Sequence, residues 1–185
     1  MAISLEKGQR IDIGLSKVRV GLGWDANPAD TGSEFDLDAS AFMLNGKRKI
    51  PQEGFFVFYN NPCSPDGAVS SSGDDRTGRS SEGDDETLTV DLTKISREVQ
   101  EIVFVATIHD AESRKQNFGQ VPNSYIRIYD AMTNEEICKY ELGEDFSVET
   151  GVEFGRLYMK DGRWRFEATG TGYKGGLETF LGKYA

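Results

Sequence analysis

The chain has 185 residues, a net charge of −10 and a pI near 4.7. Its 37% hydrophobic and 28% charged residues indicate a globular chain that is long enough to bury a sizeable core. The negative charge argues against nucleic acid or an anionic membrane surface as a direct partner and favours cation binding. The N-terminus lacks the basic start and apolar run of a signal peptide, so we expect a cytoplasmic protein.

Short alternating or continuous apolar stretches recur along the chain and predict β-strands. They lie near 10–14, 18–24, 35–44, 54–60, 87–92, 102–109, 123–130, 136–142, 151–160 and 163–169. Asp161-Gly162 between the last two predicts a two-residue hairpin. Helical pattern is scarce: we predict one or two turns over Lys94–Gln100 and a terminal helix over Leu177–Tyr184. With no repeat or long linker, the sequence predicts one domain, 1–185, as a β-sandwich of two mainly antiparallel sheets with one or two short helices.

The strand around Phe35 carries the first acidic group. Successive side chains alternate faces, so Asp36, Asp38 and Ser40 share one face with Phe42 and Leu44, while 35, 37, 39, 41 and 43 form the other. Both faces are largely apolar, which predicts a strand covered on both sides. Two carboxylates at the end of such a strand need a basic partner or a metal ion, because burying an uncompensated charge costs several kcal/mol.

A second acidic group lies in a loop rich in glycine and serine. Gly73-Asp74-Asp75-Arg76-Thr77-Gly78 is followed by Gly83-Asp84-Asp85-Glu86. Oxygen ligands on a flexible loop favour a hard divalent cation such as Ca²⁺, whereas zinc prefers Cys or His. A solvated acidic linker is the other interpretation of this loop.

An EF-hand does not account for these residues. Asp36, Asp38 and Ser40 fit the first, third and fifth positions of its loop, but Ala41 replaces the glycine at the sixth and Lys47 the glutamate at the twelfth. We therefore predict an irregular calcium site at one end of the sandwich. Further candidate ligands from other loops are Asp25 and either Asn60 or Asn61, each of which could instead have a turn-capping role.

Other chemistry has little support in the sequence. A lone histidine, His109, excludes a multi-histidine metal site, and we interpret it as structural. Cys63 and Cys138 lack a CxxC spacing, and two ordinary thiols are favoured over a disulfide.

Several motifs in order resemble the TerD family of tellurium-resistance and stress-response proteins. They are Gly21-Leu22-Gly23-Trp24-Asp25, Phe35-Asp36-Leu37-Asp38-Ala39-Ser40-Ala41-Phe42, Phe58-Tyr59-Asn60-Asn61, the two acidic motifs above, Thr107-Ile108-His109-Asp110-Ala111, Gln116-Asn117-Phe118-Gly119-Gln120-Val121 and Phe154-Gly155-Arg156-Leu157-Tyr158. The resemblance covers essentially the whole chain. It implies a non-enzymatic β-sandwich that binds calcium, commonly two ions, through acidic loops.

The resemblance also implies a ligand set and a setting. The metal ligands it implies are Asp25, Asp36, Asp38, Asn60, Asp74, Asp75, Asp84, Asp85 and Glu86. The implied partners are calcium ions and other stress or tellurium-resistance proteins, with recruitment to the inner face of the membrane. The alternative is a metal-dependent enzyme acting on a phosphate-bearing substrate, in which Arg76 or Arg79 would face the metal. A third possibility is direct tellurite capture by Cys63 and Cys138.

Overall fold

The computed structural model describes residues 3–4, 6–25, 34–72, 84–142 and 148–185. Within these residues, thirteen strands form two sheets. In spatial order, sheet I contains β1 (Ile3–Ser4), β10 (Glu136–Glu141), β9 (Tyr125–Asp130), β3 (Lys17–Gly23), β7 (Glu86–Asp91) and β6 (Val69–Ser71). Sheet II contains β2 (Arg10–Asp12), β12 (Arg163–Glu167), β11 (Gly151–Lys160), β8 (Glu101–Ile108), β4 (Leu37–Leu44) and β5 (Phe56–Val57), and β13 (Thr171–Tyr173) also pairs with β11.

The pairing confirms the predicted antiparallel β-sandwich. Among the described residues, neighbouring strands pair antiparallel, apart from β1, which runs parallel to β10. The hairpin between β11 and β12 turns at Asp161 and Gly162, with φ of 52° and 76°. Positive φ at both positions is the geometry of a type I′ turn, so the two-residue hairpin predicted from this pair of residues is confirmed.

The prediction that β4 is covered on both faces is also confirmed, since all eight of its residues are buried. Leu37, Ala39, Ala41 and Met43 belong to the main core between the sheets. Phe42 and Leu44 instead belong to a second apolar cluster on the outer face of sheet II.

The C-terminal helix α2 (Leu177–Tyr184) covers this second cluster. The Phe42 ring stacks on Phe56 with 4.4 Å between centroids, and it also contacts the Phe180 and Tyr184 rings. The helix therefore occupies the bounds predicted from the sequence, and its role is to cover sheet II. No helix among the described residues is long and apolar enough to cross a lipid bilayer.

One sequence prediction about local structure was wrong, and another was confirmed only in part. Residues 94–100 contain a bend at 94 and a turn at 97–98 instead of a helix. The Ser96 N–H donates to Asp66 Oδ2 at 2.9 Å and the Gln100 N–H to the Leu44 carbonyl at 2.8 Å, so long-range partners replace the bonds of a helix. The strand expected over 54–60 is reduced to β5, preceded by a 3₁₀ turn over Glu53–Phe55.

A short helix, α1 (Ala111–Arg114), follows β8 and was not predicted. It is bounded by Asp110 and Lys115, whose φ angles are 51° and 54°. Left-handed backbone at residues other than glycine is uncommon and is enriched at functional sites.

Candidate functional site

Asp36 and Asp38 are buried at the start of β4, with 7% and 6% of their surface exposed. The strand places them there because its neighbouring residues are apolar on both faces, as the alternation predicted. The Asp36 carbonyl accepts a hydrogen bond from the His109 N–H at 2.8 Å. Asp38 lies opposite Thr107 of β8. The first acidic group is therefore at one end of sheet II, next to the loop that follows β8.

Glu86, the first residue of β7, connects the two sheets at this end. Its side chain is buried, and Oε2 accepts a hydrogen bond from the Ala39 N–H of β4 at 2.7 Å. Ala39 directly follows Asp38, so a carboxylate of sheet I reaches the segment of sheet II that carries the buried aspartates. This hydrogen bond joins the second acidic group to the strand that carries the first.

Asp85 lies one residue earlier and binds the end of β3. Its Oδ2 accepts from the Trp24 N–H at 2.9 Å, and its own N–H donates to the Leu22 carbonyl at 2.9 Å. The Trp24 indole N–H donates to the Phe35 carbonyl at 2.9 Å. Trp24 thus joins Asp85 to the segment that leads into β4.

Asp84 points away from this group, onto the outer face of sheet I. Its side chain is only 3% exposed. The Arg127 Nε donates to both carboxylate oxygens, at 2.8 and 3.0 Å, and the Tyr125 hydroxyl donates to Oδ1 at 2.9 Å. Burial and then the Asp84 carboxylate raise the pKa of Tyr125, so the phenol remains a neutral donor. Asp84 is therefore part of a compact ion pair on the sheet surface.

Two glycines of β3 make room for this ion pair. A Cβ atom on Gly21 would overlap the Asp84 carboxylate, and one on Gly23 would overlap the Tyr125 ring. Sequence reasoning missed both Arg127 and this space. Glycines at alternate positions of one strand were the available signal, because they mark a close approach of other groups to one face of a sheet.

Asp25 and the asparagine pair lie in loops. Asp25 is exposed, and its Oδ2 accepts from Asn123 Nδ2 at 2.6 Å. Asn61 has a turn-forming role, since its Nδ2 donates to the carbonyls of Gly54 and Phe56 at 3.0 and 2.7 Å. Asn60, the residue implied by the resemblance, is exposed in the same turn.

The remaining predicted ligands, Asp74 and Asp75, lie outside the described residues, as do Arg76 and Arg79 of the enzyme alternative. Among the residues that the structure describes, no group of three or more His, Cys, Asp or Glu side chains is placed to hold a metal ion. The carboxylates that the structure describes at this end of the sandwich lie at the start of β4 and at the start of β7. Their donor chemistry is oxygen only and fits calcium better than zinc or copper.

Buried carboxylates elsewhere in the chain have cationic partners. Glu101 Oε1 lies 2.8 Å from Arg48 Nη2, and Glu101 Oε2 lies 2.7 Å from Arg156 Nη1. Glu153 Oε1 lies 3.7 Å from Lys183 Nζ. These pairs are on the outer face of sheet II. They offset buried negative charge as a bound cation would, and they supply no ligand to the acidic end of the sandwich.

The thiols and the histidine do not form a reactive group. Cys63 is exposed and pairs with Ser70 of β6, whereas Cys138 is buried in β10 near the opposite edge of sheet I. Four strand spacings separate these strands, or roughly 20 Å, so the two thiols cannot hold one tellurite ion together. His109 follows β8 and is partly exposed, with Nε2 3.3 Å from Asp110 Oδ2.

Comparison with known proteins agrees with the resemblance. The TerD domain model matches residues 1–184. The chain is 49% identical over 189 residues to general stress protein 16U of Bacillus subtilis (strain 168), and 46% identical over 189 residues to tellurium resistance protein TerD of Serratia marcescens; each alignment covers 100% of this chain and 97% of the relative.

A solved structure of similar fold is that of a homologue of telluride resistance protein (TerD) from Streptomyces coelicolor A3(2). It superposes with a TM-score of 0.76 at 22% identity, covering 91% of this chain and 96% of the other. At this identity the similarity supports the fold alone, whereas the family model and the curated relatives identify the family. This chain belongs to the TerD family.

Proposed function

We propose that this protein is a non-enzymatic calcium-binding protein of stress response and tellurium resistance. The observation that carries the proposal is the hydrogen bond from Ala39 to Glu86, which brings a buried carboxylate of sheet I to the segment of sheet II that bears Asp36 and Asp38. Relatives named for general stress and tellurium resistance align over the full chain and support the biological setting.

Calcium would act here as a bridge between the sheets. The proposed ligands are Asp38 and Glu86 from β4 and β7, Asp25, Asp36, Asn60 and Asp85 from the adjoining loops, and Asp74 and Asp75 from the acidic loop. A calcium ion takes six to eight oxygens, so carboxylates from several elements are needed for each site. Removing the ion would leave clustered negative charge and weaken the contact between the sheets.

Calorimetric titration of chelator-stripped protein tests the proposal. We expect calcium to bind in preference to magnesium. At a calcium concentration one hundred times Kd, binding adds about 2.7 kcal/mol to the free energy of unfolding. For a chain of this size that raises the melting temperature by roughly 5–11 °C. No binding, or a preference for magnesium, would contradict the proposed function.

A pair of variants tests the ligand assignment. Asp38→Asn keeps the shape of a buried side chain and removes its charge, so we expect calcium affinity to fall about tenfold or more. Glu98→Gln removes a charge from an exposed residue and serves as the matched control. Unchanged affinity in Asp38→Asn, or in Asp36→Ala combined with Asp75→Ala, would refute the assignment.

We also propose that the calcium-loaded protein works in the cytoplasm as an interaction module for other stress or tellurium-resistance proteins at the inner face of the membrane. The net charge of −10 disfavours nucleic acid as the partner. Affinity purification from tellurite-stressed cells, with calcium or with chelator, should give partners that are lost in chelator.

A panel of phosphoester substrates tests the enzyme alternative, and metal-dependent turnover would favour that alternative.

A further inference from the structure

The carboxylates of Asp84, Asp85 and Glu86 bind three different parts of the molecule. Glu86 reaches across to Ala39 of sheet II, and Asp85 binds the Trp24 N–H at the end of β3. Asp84 is held on the outer face of sheet I by Arg127 and Tyr125. Both of its oxygens already accept bonds from a guanidinium group, so its charge is offset within the protein.

We propose that Asp84 anchors the end of the acidic loop and is not a calcium ligand, and that Arg127 and Gly21 are positioning residues that set calcium affinity. This inference rests on the proposed calcium-binding function. With Asp84 fixed on sheet I, the chain enters β7 in one direction, which delivers Glu86 to β4. Ligands that are already ordered bind more tightly, because less conformational freedom is lost on binding.

The structure provides a way to release the anchor without changing any charge. A Cβ atom on Gly21 would overlap the Asp84 carboxylate, so Gly21→Ala displaces Asp84 from Arg127 while every carboxylate and guanidinium remains. Gly14 is exposed and has no positive φ, and a Cβ atom added to it would meet no heavy atom within 4 Å. Gly14→Ala is therefore the matched control.

Arg127→Met distinguishes the anchor from a ligand by the sign of its effect. If Asp84 bound calcium, removing Arg127 would free its carboxylate and delete a nearby positive charge, and both changes would tighten calcium binding. If Asp84 is the anchor, removing Arg127 releases the loop end and weakens calcium binding. Arg127 Nη1 also lies 3.7 Å from Glu136 Oε1. Its removal leaves the charge of Glu136 without this partner, which again favours tighter binding unless the anchor operates.

The experiment is calcium titration calorimetry on the chelator-stripped wild type, Arg127→Met, Gly21→Ala and Gly14→Ala. We expect Kd to rise at least about tenfold, or about 1.4 kcal/mol, in Arg127→Met and Gly21→Ala, and to stay within about twofold of the wild type in Gly14→Ala. Melting curves in chelator measure any calcium-independent loss of stability separately. Asp84→Asn combined with Arg127→Met should raise Kd for calcium little more than either change alone, because both changes break the same ion pair.

The outcomes separate the two proposals. If the wild type binds no calcium, the proposed function and the anchor are both overturned. If the wild type binds calcium but Arg127→Met binds it equally well or more tightly, only the anchor is overturned. Equal affinities of Gly21→Ala and Gly14→Ala would overturn the anchor as well, and this pair keeps the test decisive if Arg127→Met does not fold.

Discussion

The hydroxyl of Tyr184 offers a direct test of how α2 is held on sheet II. Tyr184 is 1% exposed, and its hydroxyl donates a hydrogen bond to Glu153 Oε1, on a residue that is 5% exposed. Burial and then the Glu153 carboxylate raise the pKa of Tyr184, so the phenol stays a neutral donor. Tyr184→Phe removes this donor and keeps the ring that packs against Phe42.

The expected loss follows from the burial of both partners. A hydrogen bond to a charged group contributes about 1.5–3 kcal/mol to the free energy of unfolding, and burial prevents water from replacing the lost donor. Lys183 Nζ remains 3.7 Å from the carboxylate and offsets its charge. For a chain of this length, such a loss lowers the melting temperature by roughly 3–12 °C.

Urea denaturation of the wild type and two variants measures the effect. Tyr173→Phe is the matched control, because its hydroxyl accepts a bond from the exposed Lys183 Nζ at 2.8 Å and its loss should change the free energy of unfolding by no more than about 0.5 kcal/mol. If Tyr184→Phe destabilised the protein no more than Tyr173→Phe does, the buried hydrogen bond would not be what holds the end of α2.

Three further predictions concern other parts of the fold. Phe42→Ala should lower the free energy of unfolding by about 3–5 kcal/mol, measured from urea midpoints, because the ring is fully buried beneath α2; a loss below about 1 kcal/mol would contradict that packing. Although burial raises the pKa of Glu167, hydrogen bonds from Arg10 and Arg156 lower it overall, so its contribution to stability is present above the unfolded value near about 4.3 and is lost as pH falls through the folded pKa. Glu167→Gln should therefore make the free energy of unfolding fall less steeply as pH decreases. Urea midpoints measured between about pH 3 and 7 test this, and the same pH dependence in the variant and the wild type would contradict it. Finally, burial raises the pKa of Cys138 to about 12, so iodoacetamide should modify the exposed Cys63 first. Mass spectrometry of the folded protein measures the order of modification, and modification of Cys138 first would contradict the structure.

Much of the fold could be predicted because it follows from local patterns. Alternation along β4 divided its residues between two covered faces, and this division is confirmed. Only the structure shows that one face belongs to the main core and the other to the outer cluster. The Asp161-Gly162 hairpin and α2 also depend on neighbouring residues alone. Strands β1, β6 and β13 were missed because each has only two or three residues, which is too short for a periodic pattern.

The acidic site could be predicted only in part. Sequence spacing alone identified Asp36 and Asp38 as carboxylates on a strand that is covered on both sides, and their burial is confirmed. The acidic motif identified Asp84, Asp85 and Glu86 as a group but gave no information on where each carboxylate points. In the structure the three diverge, since successive side chains leave the chain in different directions at the start of a strand.

What the sequence determined by itself is therefore the class of fold, the faces of its long strands and the presence of an oxygen-rich acidic end. Only the tertiary structure decided which partner each carboxylate has. Arg127 is 43 residues from Asp84, and Ala39 is 47 residues from Glu86. Strand alternation is a property of consecutive residues, whereas these contacts exist only after distant strands have paired and the two sheets have packed together.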